Sequence, residues 1–396
     1  MMQRYGSLRQ LFSGARETVA RKSGIGKKGL RAGLGVAALA AMVGLSGCYW
    51  GYGSYYYYYP GNGGYSAIWV ANGTNVVEFS PSQQVNGVSD PVPRRTISSS
   101  VFGAPQGVVF DYYGDLWVID GGTMASGGKV APALYEFTAS QLSNLGSNAA
   151  PTPAVTISSA SFVFPQQATF DNNGNLWVTD NGANAVFVLS AKQLSTSGAT
   201  TVPVATITST PAFNGPLGIT FDNRGNLWIA NNASTTIFGF SAGSLPVVTP
   251  SSTAAMTVAA LTPTTTLSDN GAGSIQAPWA LAVDSYGNLW SSNANAPNTV
   301  VEFAKAQLVT GSPTPTITLA SATVSNNATL VAPNGLAFDN YGDLAVMSSG
   351  APFGMAGYGP SQLRSQPTSP VTPAVFFVGS STTLNAPAGD TFGPTY

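Results

Sequence analysis

From residue 67 onward the chain alternates short apolar runs with breaks of Gly, Pro, Asn and Ser, and the runs recur in register. Five copies of one pattern carry the recurrence: "PQGVVFDYYGDLWVID" from 105, "PQQATFDNNGNLWVTD" from 165, "PLGITFDNRGNLWIAN" from 216, "PWALAVDSYGNLWSSN" from 278 and "PNGLAFDNYGDLAVMS" from 333. Each reads as a strand, a tight Asp-x-x-Gly turn and a second strand, because short β-branched and aromatic runs bounded by turn formers favour extended backbone. The turn glycines, Gly114, Gly174, Gly225, Gly287 and Gly342, are 60, 51, 62 and 55 residues apart. Periods of that size mark a repeat architecture.

Two more signals keep the same rhythm. A short strand ending in a Gln-Leu-like pair follows each copy ("VVEFSPSQQ", "LYEFTASQL", "FVLSAKQL", "FGFSAGSL", "VEFAKAQL", "GYGPSQL"), and then a Thr-, Val- and Ile-rich strand such as "PRRTISS" or "PTITLAS". Four antiparallel strands in a unit of this length predict a propeller blade. Within the second strand, Leu116, Trp117, Val118 and Ile119 are apolar on both alternating faces, so both faces must be covered, as neighbouring blades would do. Second strands number six once "AIWVAN" at 67 is added, and that first copy lacks a strand and turn before it. "APAGDTFGP" at 386 to 394 supplies the missing Pro-x-Gly-x-x-Phe start. The expectation is therefore all-β: a six-bladed β-propeller over residues 66–396, closed by the C-terminal strand, which removes an open sheet edge.

Charge changes the picture at the N-terminus. Charged residues are only 8% of the chain, and eight of the fifteen Lys and Arg lie before residue 32, with Glu17 the sole acid there. From residue 48 onward 7 basic and 15 acidic residues remain, a net charge of −8. A mildly acidic surface without basic patches argues against nucleic acid as a partner. "AGLGVAALAAMVGLSGC" follows the basic stretch, too short for a comfortable membrane span and ending in small residues. Its close, Leu45-Ser46-Gly47-Cys48, resembles the bacterial lipobox, whose cysteine becomes the lipidated first residue of the mature protein. Cys48 is the only cysteine. The resemblance implies a signal peptide over 1–47, a Tyr- and Gly-rich tether over 48–65 and a lipid anchor on Cys48. Tyr49 follows the cysteine where an inner-membrane protein tends to carry Asp, which implies the outer membrane of a bacterial envelope. The tether's Tyr cluster reads either as an unfolded spacer or as a group that lies on a membrane interface or stacks on a glycan.

The "GNLWV(A/T)(D/N)" core resembles NHL-type repeats, within the wider six-bladed group of gluconolactonase and SMP-30-like proteins. Propellers of that kind bind proteins, sugars or RNA, or hydrolyse esters, so the resemblance names a fold rather than an activity. The turn aspartates Asp111, Asp171, Asp222, Asp284 and Asp339 read as turn formers, each accepting N–H groups ahead of a positive-φ glycine. Trp69, Trp117, Trp177, Trp228 and Trp290, with Ala345 in the last unit, read as inter-blade packing.

The second strands end in Asn72, Asp120, Asp180, Asn231, Asn293 and Ser348, on the face that also carries Gln106, Gln166 and Asn334. Such a ring of amides and carboxylates either caps the adjoining turns or holds a sugar, a peptide or Ca²⁺, which takes oxygen ligands. Catalysis has thin support. The chain contains no histidine, which removes the commonest general base, the Ser-His-Asp triad and His-ligated zinc. In the lactonase-like group Glu, Asn and Asp near the first-strand openings hold a metal. The matching positions are Gln106, Gln166, Leu217, Trp279, Asn334 and Ala388, of which only Asn334 suits that chemistry. The expected function is a monomeric, lipid-anchored binding or scaffolding module for a protein or carbohydrate; the alternative is a metal-dependent lactonase, hydrolase or lyase. Replacing Cys48 with Ala is expected to leave the protein unprocessed or shed from the membrane, as read by intact mass and membrane fractionation.

Overall fold

A computed structural model describes residues 67–123, 130–198, 200–367, 369–394 and 396; the expected signal peptide, Cys48 and the expected tether lie outside them. Six sheets of four principal strands are arranged as the blades of a propeller. In blade 2 the strands run Pro105–Phe110, Leu116–Asp120, Ala133–Phe137 and Val155–Ser158 from the centre outward. Blades 3, 4, 5 and 6 repeat this order, starting from inner strands Pro165–Phe170, Pro216–Phe221, Pro278–Val283 and Pro333–Phe338. Blade 1 is built from both ends of the chain: Pro387–Gly393 is its inner strand, and Ala67–Asn72, Asn75–Phe79 and Arg95–Ile97 follow. All six residues of Ala67–Asn72 pair with this last strand, Trp69 opposite Thr391 and Val70 opposite Asp390.

The repeated aspartate explains the hairpins. Asp171 Oδ1 accepts the N–H of Asn173 at 2.8 Å and of Asn175 at 2.9 Å, and Gly174 closes the turn at φ +75°, a conformation glycine adopts without a Cβ clash. The second oxygen ties the turn to the blade. Asp171 Oδ2 accepts from Asn175 Nδ2 at 2.9 Å and from the Trp177 indole N–H at 3.1 Å. Asp222 with Trp228 and Asp284 with Trp290 repeat the contact at 3.2 and 3.1 Å. A buried indole N–H needs an acceptor, and this one comes from six residues upstream.

The tryptophans sit between blades. Trp69, Trp177 and Trp290 each meet edge-on the inner-strand phenylalanine of the following blade, Phe110, Phe221 and Phe338, with ring centroids 5.9, 5.4 and 5.8 Å apart. Such ring pairs add about 0.5–1.5 kcal/mol each beyond the area they bury. Toward the axis the blades approach so closely that a Cβ on Gly107 would lie 2.6 Å from the Gln166 carbonyl oxygen, and one on Gly218 2.4 Å from that of Trp279.

One local expectation is corrected. The Gln-Leu pairs do not end the third strands. In blades 2 and 3 they belong to short helical turns, Ala139–Ser143 and Ala191–Leu194, that begin just after the strand. The cause is a capping box: Gln141 N–H donates to Thr138 Oγ1 at 3.2 Å while Thr138 N–H donates to Gln141 Oε1 at 2.9 Å. The same glutamine reaches onward to the loop before the outer strand, Gln141 Nε2 to Thr152 O at 2.9 Å, Gln193 to Val202 O and Gln362 to Thr372 O both at 2.7 Å.

A second ring runs around the outside. Segments between the third and outer strands of one blade pair, in parallel, with the outer strand of the preceding blade. Asn148–Ala149 lies on Arg95–Ile97, Gly198 on Ile157, Met256 and Leu261 on Ala205 and Ser209, Gly311 on Leu267, and Gly87–Ser89 on Val375–Val378. Between blades 5 and 6 a side chain substitutes for the strand: Gln366 Oε1 accepts Thr318 N–H at 2.7 Å and its Nε2 donates to Thr318 O at 3.4 Å. Arg94 and Arg95 add a clamp, both bonding the buried Glu78 carboxylate (3.2 and 2.6 Å) and both donating to the Tyr396 main-chain oxygen.

Deleting residues 386–396 is expected to lower the melting temperature sharply or to cause aggregation through the bared edge. Each buried backbone group left unpaired costs about 1–3 kcal/mol against a typical total stability of about 5–15 kcal/mol. An unchanged melting temperature would show that the last strand does not close the ring.

Candidate functional site

The strand-end residues face the loops that enter the inner strands. Asp120 accepts three backbone N–H groups, from Gly103 at 2.8 Å, Ala104 at 2.9 Å and Gly122 at 2.7 Å. Asp180 accepts from Val163, Phe164 and Ala183 at 2.8, 2.9 and 2.8 Å. Asn72 takes Asn385 N–H at 2.5 Å, Asn231 takes Asn214 N–H at 2.6 Å, and Asn293 takes Gln276 N–H at 2.8 Å. Ser348 Oγ accepts from Val331 N at 3.2 Å. All six are buried, and their oxygens tie the loop arriving from the preceding blade to the end of the second strand. Three N–H groups per carboxylate offset much of the cost of burying its charge.

The inner-strand openings lie beside them, since Pro105 pairs with Asp120. Gln106 Nε2 donates to Ala104 O at 3.1 Å. Gln166 and Asn334 are buried with one amide atom each lacking a partner, Nε2 and Oδ1, while Asn334 Nδ2 donates to Pro387 O. Leu217, Trp279 and Ala388 offer no side-chain oxygen. A set of three amides without a carboxylate does not fit a divalent lactonase metal, which takes charged oxygen ligands, and no hydrolytic step follows from it.

A cavity of about 490 Å³ opens at the other end, among the hairpin turns. Its wall is made by the inner strands of blades 3, 4, 5, 6 and 1 and by the stretch 245–248. Phe170, Phe221, Phe338 and Phe392 occupy the same repeat position and form a half-buried collar. Thr169, Thr220 and Thr391 stand one residue before three of them, and Asn172, Asn173, Asn223 and Asn340 bring turn amides to the rim. Asp171 and Asp222 also border the cavity, but their carboxylates are bound to turn N–H groups and indoles. Apolar rings and uncharged hydrogen-bonding groups thus make up most of the cavity wall, with Asp390 among its lining residues.

Two acidic groups with altered titration, Glu136 and Glu302, lie elsewhere in the blades. Asp111, Asp115 and Glu136 bring carboxylate oxygens within 4.8 Å of one another. Burial first, then the charges of Asp115 and Asp111, push Glu136 up to about 7; close like charges resist ionising together. Glu302, opposite Trp290, is pushed up to about 7 by burial and then by Asp284. Sequence reasoning passed over both the phenylalanine collar and Asp390. The collar was visible as a repeat position but not as an exposed one. Asp390 was visible as a misfit: it stands where the other inner strands carry Val108, Ala168, Ile219, Leu281 and Leu336.

No family model matches the chain, and no curated protein does. Among solved structures, a protein of unknown function from Bacteroides caccae is similar over 84% of this chain and 100% of its own, with 8% identity and a TM-score of 0.52. The periplasmic gluconolactonase of Pseudomonas aeruginosa matches over 84% and 100%, with 14% identity and a TM-score of 0.48. Virginiamycin B lyase from Staphylococcus aureus matches over 66% of this chain and 69% of its own, with 16% identity and a TM-score of 0.40. The chain spans about two thirds of the length of the lyases it matches. At these identities the likeness is one of fold: a six-bladed β-propeller.

Asp120→Ala is expected to destabilise the protein by roughly 2–4 kcal/mol in urea unfolding, because three buried N–H groups lose their acceptor at once. A change near zero would mean that water replaces the carboxylate and that the loop does not depend on it.

Proposed function

We propose that the protein is a lipid-anchored module of the bacterial envelope that binds a neutral carbohydrate at the turn end of its central channel. The observation that carries this reading is the collar: half-buried Phe170, Phe221, Phe338 and Phe392 around a cavity of about 490 Å³, with threonine hydroxyls and asparagine amides beside them. Sugars present apolar C–H faces and hydroxyl edges together, and a wall of half-buried aromatic side chains with short uncharged donors and acceptors complements both. The volume falls within the roughly 300–1,000 Å³ usual for small-molecule sites. Anchoring through Cys48 would hold such a site outside the cytoplasm, on the Tyr- and Gly-rich tether.

The test is calorimetric titration of a panel of neutral oligosaccharides against the full propeller and its Phe221→Ala variant. Binding weakened roughly tenfold in the variant is expected, equivalent to about 1.4 kcal/mol and the scale of one lost aromatic contact. A panel without binders, together with capture of an envelope protein that Phe221→Ala abolishes, would make the ligand a protein. Turnover of lactones that chelation of Ca²⁺ abolishes would replace the binding reading with the metal-dependent hydrolase.

A further inference from the structure

Asp390 is the only buried carboxyl group among the described residues with both oxygens lacking a hydrogen-bond partner. It lies in the middle of Pro387–Gly393, the strand that closes the ring. The residue lines the channel cavity, yet both carboxylate oxygens are closed off from solvent. They are turned against blade 6: a Cβ on Gly335 would lie 2.1 Å from Asp390 Oδ1 and 2.9 Å from Met347 Cβ. The carboxyl group is thus set in the seam between the first and last blades, where Ile68, Val70, Met347 and Met355 form the apolar core.

No charge among the described residues compensates it. The strands packed around it, Ala67–Asn72, Pro105–Phe110, Pro333–Phe338 and Leu344–Ser348, contain no titratable side chain at all. Every other inner strand carries Val, Ala, Ile or Leu at this position, so the seam is built for an uncharged group.

We propose that ring closure depends on the charge of Asp390: the seam between blades 6 and 1 seals while the carboxyl group is neutral and loosens when it ionises. Its titration runs in the matching direction, since burial pushes the carboxyl group up to about 8 from its ordinary value of 3.8. An acid whose folded value is raised stabilises the fold fully below its unfolded value, and that stability is lost progressively as pH rises toward the folded value. The window for Asp390 therefore runs from about pH 4 to about pH 8. The proposal stands apart from the carbohydrate reading and needs no ligand.

The experiment compares melting curves across this window for the wild type, Asp390→Asn, which keeps the shape, and Asp390→Leu, which restores the side chain of blades 5 and 6. Glu136 and Glu302 titrate with the same sign in all three proteins, so they cancel in the difference between variant and wild type. The melting temperature of Asp390→Leu, relative to wild type, is expected to climb by several degrees from the acid end to the alkaline end, and that of Asp390→Asn to climb in parallel. If Asp390→Leu overpacks against Gly335 and fails to fold, Asp390→Asn carries the test alone. Hydrogen exchange then locates the effect. Amides linking Ala67–Asn72 to Pro387–Gly393 should lose protection with rising pH in the wild type, after correction for intrinsic rates, while Leu176–Asp180 keeps its own. Melting curves of variant and wild type that stay parallel over the whole window would overturn the proposal. So would a pH-dependent difference with unchanged protection in the closing strand.

Discussion

A strand that is apolar on both faces cannot lie at the surface of a sheet, and this constraint shapes the rest of the molecule. Leu116–Asp120, Leu176–Asp180 and Leu227–Asn231 are buried from end to end. Each must be covered from two sides, and a neighbouring blade on either side does so. Once blades stack face to face around an axis, the inner strands converge until side chains no longer fit, and Gly107 and Gly218 stand where carbonyl oxygens of the next blade arrive. The same convergence leaves a channel. The cavity at its mouth is thus a by-product of covering six strands, furnished by whatever residues the inner strands present at their turn ends.

Stacking covers the faces but not the edges, and the chain deals with edges twice. Toward the axis the last strand completes blade 1, so the first and last segments of the propeller share one sheet. Toward the rim each blade's outer strand is covered by backbone from the following blade, or by the Gln366 amide, whose O and N–H₂ imitate a peptide group opposite Thr318. A strand edge offers its N–H and C=O groups to any passing chain. The two closures differ in sequence cost: the inner one uses a half-copy of the repeat, and the outer one uses backbone everywhere except at Gln366.

That difference explains what could be read from sequence. In three hairpins the Asp and Trp bond one another across six residues and the Gly closes the turn between them, so the spacing survives as a motif, and with it the blade count and the closing half-copy. The outer belt left no motif, because Gly198, Met256 and Gly311 pair through main-chain atoms that any residue supplies. The helical turns after the third strands were written as Ser or Thr followed three residues on by Gln, but a single turn leaves no periodicity to detect. At the candidate site, the strand-end Asn and Asp residues were legible as a set of oxygens on one face. Their partners were not, since Gly103, Val163 and Asn214 lie in loops of unrelated sequence.

Three environments give the same carboxylate three different roles in this protein. Asp171 sits at a turn, where two backbone N–H groups, an amide and an indole hold its charge, and it builds the hairpin. Asp180 sits at a strand end, where three N–H groups hold it, and it fixes the loop that enters its own blade. Asp390 has neither kind of partner and lies in an apolar seam, where the neutral acid is the form that fits. The repeat thus supplies its own control: the first two are what an aspartate does when the fold has prepared donors for it, and the third is what remains when it has not. An unsatisfied acid in the strand that completes the ring is what would tie closure to pH.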